Sequence, residues 1–239
     1  MNLSSVKTTN LSKSYGNFYV INKVSIQLPK NGIFGILGRN GAGKTTLLAM
    51  LMGLITPTRG DIYIFGKSLK KKKYEILKDI NFQSPYVELP KKMTVHQNLF
   101  FYARLYNVKN YKFEIDRISS DLKIENLLQK NYGSLSSGQK TKVNLCKALL
   151  NKPRLLLLDE PTASLDVSTS EFIRNYISNF QKENNSTIVI TSHDLVEIET
   201  MCSYLVVLNK GSISFKGDLK TLIKKNNYSS LKEFFLKND

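Results

Sequence analysis

Cysteine is nearly absent from this chain of 239 residues, and tryptophan is missing altogether. The two thiols, Cys146 and Cys202, show no metal-ligand spacing, so a disulfide scaffold and a zinc site are excluded and both read as buried thiols. Long apolar runs are lacking as well: Leu155 to Leu158 and Ile33 to Leu37 fall far short of the ~20 residues that cross a bilayer. No membrane span is expected. The start, Met1-Asn2-Leu3-Ser4-Ser5, has neither the basic nor the apolar stretch of an export signal, so a cytosolic location follows. No repeat with a period of about 20 to 50 residues and no low-complexity linker divides the chain.

Acidic residues are scarce, 19 Asp and Glu against 35 Lys and Arg, which leaves a formal net charge of +16. That excess alone suits an anionic partner. Only 6 of the basic residues are arginine, however, beside 29 lysines and 22 asparagines. Arginine is the side chain that planar phosphate and base recognition favours. A Lys/Asn bias of an AT-rich genome accounts for the charge without a binding role, and no specific nucleic-acid partner is expected. Lys70-Lys71-Lys72-Lys73 reads as a solvated loop. With 41% hydrophobic and 23% charged residues, the rest of the composition is that of an ordinary globular α/β domain.

Period-2 patterning dominates the first sixty or so residues. Val20 to Leu28 alternates, with Ile21, Val24, Ile26 and Leu28 as its apolar positions; Gly32 to Leu37 is a short buried run, and Asp61 to Phe65 alternates again. From Thr94 the period lengthens: Val95, Leu99, Tyr102 and Tyr106 fall on one face of a helix that Thr94 is placed to cap. A helical lobe continues through Phe113 to Leu128 and through Lys140 to Leu150, where Lys152-Pro153 stops it. Leu155 to Leu158 and Thr187 to Thr191 are apolar runs of the kind buried inside a parallel sheet. The tail, with Leu219, Leu222, Ile223 and then Leu231, Phe234, Phe235 and Leu236, reads as two short helices folded back on the core.

The sharpest motif is Gly38-Arg39-Asn40-Gly41-Ala42-Gly43-Lys44-Thr45-Thr46, a match to G-x-x-x-x-G-K-S/T between a predicted strand and an apolar helix. Its glycines let successive N–H groups turn toward an anion, and the helix adds its positive end, so backbone holds most of a polyphosphate. Lys44 would reach the β- and γ-phosphates and Thr45 would ligate Mg²⁺. A second motif, Arg154-Leu155-Leu156-Leu157-Leu158-Asp159-Glu160, delivers two carboxylates at the end of a buried strand. Buried carboxylates want a cation or a reacting group: Asp159 suits Mg²⁺ or its water, and Glu160 suits polarising the water that attacks a γ-phosphate. As an isolated pair they could equally cap the next helix.

Between these two motifs stands Leu135-Ser136-Ser137-Gly138-Gln139. It is similar to the Leu-Ser-Gly-Gly-Gln signature of ABC proteins, and with it the motif order along nearly the whole chain resembles the ATP-binding subunits of ABC transporters. The resemblance implies a phosphate-loop NTPase (RecA-like) core with an N-terminal antiparallel β subdomain and an inserted α-helical subdomain. In that reading 1–239 is one domain, 1–83 and 151–239 form the core, and 84–150 is the helical part carrying the signature. Ser136, Ser137, Gly138 and Gln139 would close over the ATP held by the phosphate loop of a second cassette, in a homodimer or heterodimer. Ser137 departs from the family pattern by replacing a glycine.

The resemblance carries further residues. Tyr15, in Lys13-Ser14-Tyr15-Gly16, is similar to the aromatic that stacks on adenine. Asp166, in Ser164-Leu165-Asp166, resembles the D-loop, which communicates across the dimer. His193, in Thr191-Ser192-His193-Asp194, resembles the switch histidine that contacts the γ-phosphate, whereas His96 reads as an ordinary helix residue. Gln83, in Ile80-Asn81-Phe82-Gln83, resembles the Q-loop glutamine that approaches Mg²⁺. Two extra residues separate it from Thr94-Val95, so Ser84 or Pro85 could occupy the equivalent place.

The implied function is an ATPase motor on the cytoplasmic face of a membrane, coupled to separate permease subunits and, in its short form, most like exporter-type subunits. The rival is a soluble ABC ATPase acting on nucleic acid or ribosomes, but such proteins usually carry two cassettes or a long inserted coiled coil. A phosphate-loop kinase or GTPase fails on the signature.

Overall fold

The computed structural model describes residues 4–163, 165–225 and 230–233. The chain opens on the hairpin β1 (Val6–Tyr15) and β2 (Phe18–Val24), followed by β3 (Gln27–Leu28). Next, β4 (Gly32–Leu37) runs through the glycine-rich loop into α1 (Lys44–Leu51). Strands β5 (Arg59–Ile64) and β6 (Lys67–Ser68) precede α2 (Leu69–Leu77) and β7 (Ile80–Gln83). The helical stretch comprises α3 (Val95–Leu105), α4 (Tyr111–Asp121) and α5 (Ser137–Leu149). After it come β8 (Leu155–Asp159), α6 (Val167–Asn184), β9 (Thr187–Ser192), α7 (Leu195–Met201), β10 (Tyr204–Asn209), β11 (Ser212–Asp218) and α8 (Leu219–Lys225).

Two sheets result. The smaller is antiparallel, ordered β2-β1-β5-β6 with β3 also paired to β1. The larger is ordered β11-β10-β4-β9-β8-β7 and is parallel except for its edge strand β11. Strands buried on both faces read as continuous apolar runs because each face packs its own layer. Leu155 and Leu157 join Leu47, Leu48 and Leu51 of α1 in one core. Leu156 and Leu158 face the other way, into a core shared with Leu99, Ile118, Leu145 and Ile177 of the helices. The sheet therefore separates a phosphate-loop side from a helical-lobe side, and strand parity decides on which side any residue acts.

Most predicted elements form, with three local differences. The alternating run Val20 to Leu28 is not one strand: β2 ends at Val24, which still pairs with Leu11, and Ser25 and Ile26 intervene before the chain pairs again at Gln27. The signature helix begins at Ser137 rather than Lys140, because Ser136 accepts from Gln139 N while the Gln139 side chain accepts from Ser136 N, a capping box. Lys70 to Lys73 lie in α2, exposed as expected but helical rather than in a loop. Thr94 caps α3 with the same kind of box through Gln97. Leu219, Leu222 and Leu231 are buried against the main core. Phe234, Phe235 and Leu236, and the Ile223 side chain, lie outside the described residues.

Candidate functional site

Strand β4 ends at Leu37, and the loop that follows turns on backbone that only glycine adopts comfortably. Gly41 has φ of 80° and Gly43 of 99°, and a Cβ on Gly43 would stand 2.7 Å from Val20 O. Gly43 is also the N-cap of α1 and offers no side-chain cap. The first-turn N–H groups of Lys44, Thr45 and Thr46 consequently lack intrahelical acceptors and face whatever occupies the loop. Arg39 and Asn40 are exposed on the rim, whereas Ala42 is buried and its N–H donates to Arg39 O at 3.0 Å. Lys44 is almost fully buried; its Nζ donates to Gly38 O at 2.7 Å and lies 3.5 Å from Glu160 Oε1.

Asp159 closes the floor of this cradle. Its parity with Leu155 and Leu157 turns it to the phosphate-loop side, and it is wholly buried. Three hydroxyls converge on it: Thr45 Oγ1 donates to Oδ2 at 3.0 Å, Ser84 Oγ to Oδ2 at 3.2 Å, and Thr191 Oγ1 to Oδ1 at 2.5 Å. Among the described residues no cationic side chain pairs with it. Among the described residues no group of three or more His, Cys, Asp or Glu could hold a metal. This set of hard oxygens fits Mg²⁺, which takes few protein ligands and completes its shell with water and phosphate.

Gln83 is not part of that convergence, contrary to the sequence expectation. It pairs with Leu158 and shares the helical-lobe face with Asn81, whose side chain meets Asn151 and Tyr106. It is buried, and its Oε1 has no hydrogen-bond partner. Ser84, the next residue, falls on the Asp159 side, and Pro85 is exposed. Thr191 was overlooked. Only the β8–β9 register, which sets Asp159 opposite Thr191, reveals it.

Glu160 leaves the strand in a left-handed conformation, φ 50°, anchored by its N–H donating to Thr191 O at 3.0 Å. This backbone is uncommon for a non-glycine residue and turns the carboxylate back over the loop. There it sits between Lys44 and His193, whose Nδ1 lies 2.6 Å from Oε2. A carboxylate only accepts, so the imidazole bears a proton on Nδ1. A cleft of about 550 Å³ adjoins this pair and is also lined by Thr162 and Glu197. Glu197 accepts from Thr162 Oγ1 at 2.8 Å, and burial pushes its carboxyl up from the usual range.

The remaining predicted residues stand apart from this cluster. Tyr15 ends β1, 56% exposed, with Lys13 Nζ 5.0 Å from its ring centroid. Ser136, Ser137, Gly138 and Gln139 open α5; Ser137 keeps an ordinary negative φ, so the backbone there does not require the glycine it replaces. Among the described residues, no hydrogen bond or ion pair joins these four to Lys44, Thr45, Asp159, Glu160 or His193. Asp166 caps α6: Thr169 N–H, Thr169 Oγ1 and Ser168 Oγ all donate to its carboxylate, holding it well below the usual carboxylate range. Its neighbour Ser164 lies outside the described residues.

The family model described as ABC transporter matches residues 21–163, spanning the glycine-rich loop, the signature and the acidic pair. The chain belongs to the ABC transporter family. It is an ATP-binding subunit and an ATPase. The cassette is 38% identical over 224 residues to the bacitracin transport ATP-binding protein BcrA of Bacillus licheniformis, covering 92% of this chain and 72% of that one. It is 30% identical to the ATP-binding protein NatA of Bacillus subtilis, over 90% of this chain and 89% of the relative. Relatives named for Nod factor export in Rhizobium sp. and methionine import in Protochlamydia amoebophila match at 30% and 34%, over 95% and 87% of this chain and 75% and 63% of theirs. Among solved structures, an ATP-binding subunit of an ABC transporter superposes with TM-score 0.88 at 24% identity, over 98% of this chain and 99% of that one. A dimeric cassette bound to ADP and Pi gives 0.83 at 24%, over 90% and 98%. These two likenesses establish the RecA-like fold.

Proposed function

We propose that two such cassettes sandwich ATP with Mg²⁺, close, hydrolyse it, and pass the motion to separate membrane-spanning subunits on the cytoplasmic face of a membrane, driving export. The observation that carries this is the placement of Glu160 between Lys44 and His193 at the mouth of the phosphate cradle. In binding, Lys44 exchanges Gly38 O for phosphate oxygens, and the N–H groups of Gly43 to Thr46 hold the triphosphate. Thr45 and Asp159 would hold the cation, which neutralises charge on the phosphates. Glu160 takes a proton from water as that water attacks the γ-phosphorus and the bond to the bridging oxygen breaks, releasing ADP and phosphate. His193 keeps the carboxylate aimed.

Ser136 to Gln139 supply a second anion site at the N-terminus of α5. Because they are bonded to none of the cradle residues, the γ-phosphate reaches them through a second copy, an arrangement supported by the related dimeric cassette bound to ADP and Pi. Asp166 follows on the same segment. The relative named for Nod factor export supports that direction, and the one named for methionine import the opposite. No helix among the described residues is long and apolar enough to cross a membrane.

Recovery of the tagged chain from solubilised membranes tests the assignment. A co-purifying hydrophobic subunit that raises MgATP turnover supports it. Recovery only with ribosomes or nucleic acid would favour the soluble alternative.

A further inference from the structure

Strand β7 ends beside the cation floor, and parity settles which of its last side chains can reach it. Gln83 sits opposite Leu158 on the helical-lobe face, and the β7–β8 ladder directs its Cα–Cβ bond away from Asp159. Its unpartnered Oε1 is therefore an acceptor on the wrong side. Ser84, one residue on, is 2% exposed and points to the phosphate-loop side. Its hydroxyl donates to Asp159 Oδ2 at 3.2 Å, the same oxygen that Thr45 Oγ1 reaches at 3.0 Å, and accepts the Tyr86 N–H at 3.4 Å. A hydroxyl oxygen has two lone pairs, so one remains available to a hard cation. Thr191 binds the other carboxylate oxygen, Oδ1, and does not compete.

We infer that Ser84, and not Gln83, is the third protein oxygen presented to the divalent cation of the phosphate site, together with Thr45 and Asp159. The inference rests on the ATP and Mg²⁺ reading above and deepens it: the cation contact moves from a carboxamide on a long side chain to a short, already buried hydroxyl.

The test titrates Mn²⁺ into the intact chain with ATP, followed by electron paramagnetic resonance. Ser84→Ala weakens Mn²⁺ binding about tenfold or more, while ATP affinity in the presence of EDTA is unchanged. Ser84→Thr and Gln83→Ala bind Mn²⁺ as the parent does. A role limited to bracing Asp159 is separated by Ser84→Cys, in which a soft thiolate ligand raises the Cd²⁺ to Mn²⁺ affinity ratio. Melting curves without ligand show that each variant is folded. Parental Mn²⁺ affinity in Ser84→Ala, an equal loss in Gln83→Ala, or an unchanged Cd²⁺ to Mn²⁺ ratio in Ser84→Cys overturns the inference and leaves the ATP reading standing. Absence of ATP binding in the parent chain overturns both.

Discussion

Lys147, on α5, has no acidic partner among the described residues, and its replacement by methionine gives a measurable pH signature. Its Nζ donates to Phe82 O at 3.1 Å and lies 5.3 Å from the Tyr102 ring centroid, which ties the signature helix to β7. Burial lowers its pKa from 10.5 to about 8. Below pH 8 the ammonium is present in both folded and unfolded chains, and its desolvation opposes folding by roughly 3 kcal/mol. Between pH 8 and 10.5 the unfolded chain still holds the proton that the folded chain has lost, so the parent gains stability as pH rises. Over pH 8 to 10 the gain amounts to about 2 kcal/mol.

Methionine removes this titration and keeps the packed stem. At pH 7 the lost charged hydrogen bond, roughly 1.5–3 kcal/mol, partly cancels the relief of desolvation, so the variant is slightly more stable than the parent. Thermal melts of parent and variant at pH 8 and 10 isolate the lysine, because the buried thiols of Cys146 and Cys202, whose pKa values burial also raises, titrate in both. The variant's relative advantage falls by about 4–8 °C across that interval for a chain of this size. Parallel pH profiles would refute the reasoning.

Gly43→Ala places a Cβ 2.7 Å from Val20 O at a φ of 99°, so the cradle must distort and ATP retention in a filter-binding assay should be lost; parental retention contradicts the backbone argument. Tyr15→Ala should weaken ATP binding roughly tenfold through lost stacking, measured by calorimetry, and an unchanged affinity would move the adenine contact to another exposed aromatic such as Phe18.

How much of this was legible depended on whether the signal was local. Gly38 to Thr46 declare a strand-loop-helix cradle because glycine backbone and helix start are sequence-local, whereas the start of α5 at Ser137 was placed at Lys140 although the Ser136 to Gln139 spacing is that of a capping box. Asp159 and Glu160 were legible as a pair at a strand end, but not the left-handed turn that aims Glu160. Thr191 was hidden because its contact with Asp159 exists only through the β8–β9 register. The face on which Gln83 lies was not legible, because one step along a strand reverses the face and the strand's register is not local to the motif. The break after Val24, at Ser25 and Ile26, is not encoded in the alternation of Val20 to Leu28.

The central claim is that one copy's phosphate cradle and another copy's α5 N-terminus share the nucleotide. It is tested most directly by the mass of Glu160→Gln in solution with MgATP, by light scattering, both alone and with its membrane subunit. Removing the carboxylate charge blocks turnover while leaving Lys44 and the loop to hold ATP, so the account predicts a stable dimer that falls apart when ATP is withdrawn. A protein that binds ATP and stays monomeric in both settings would contradict it.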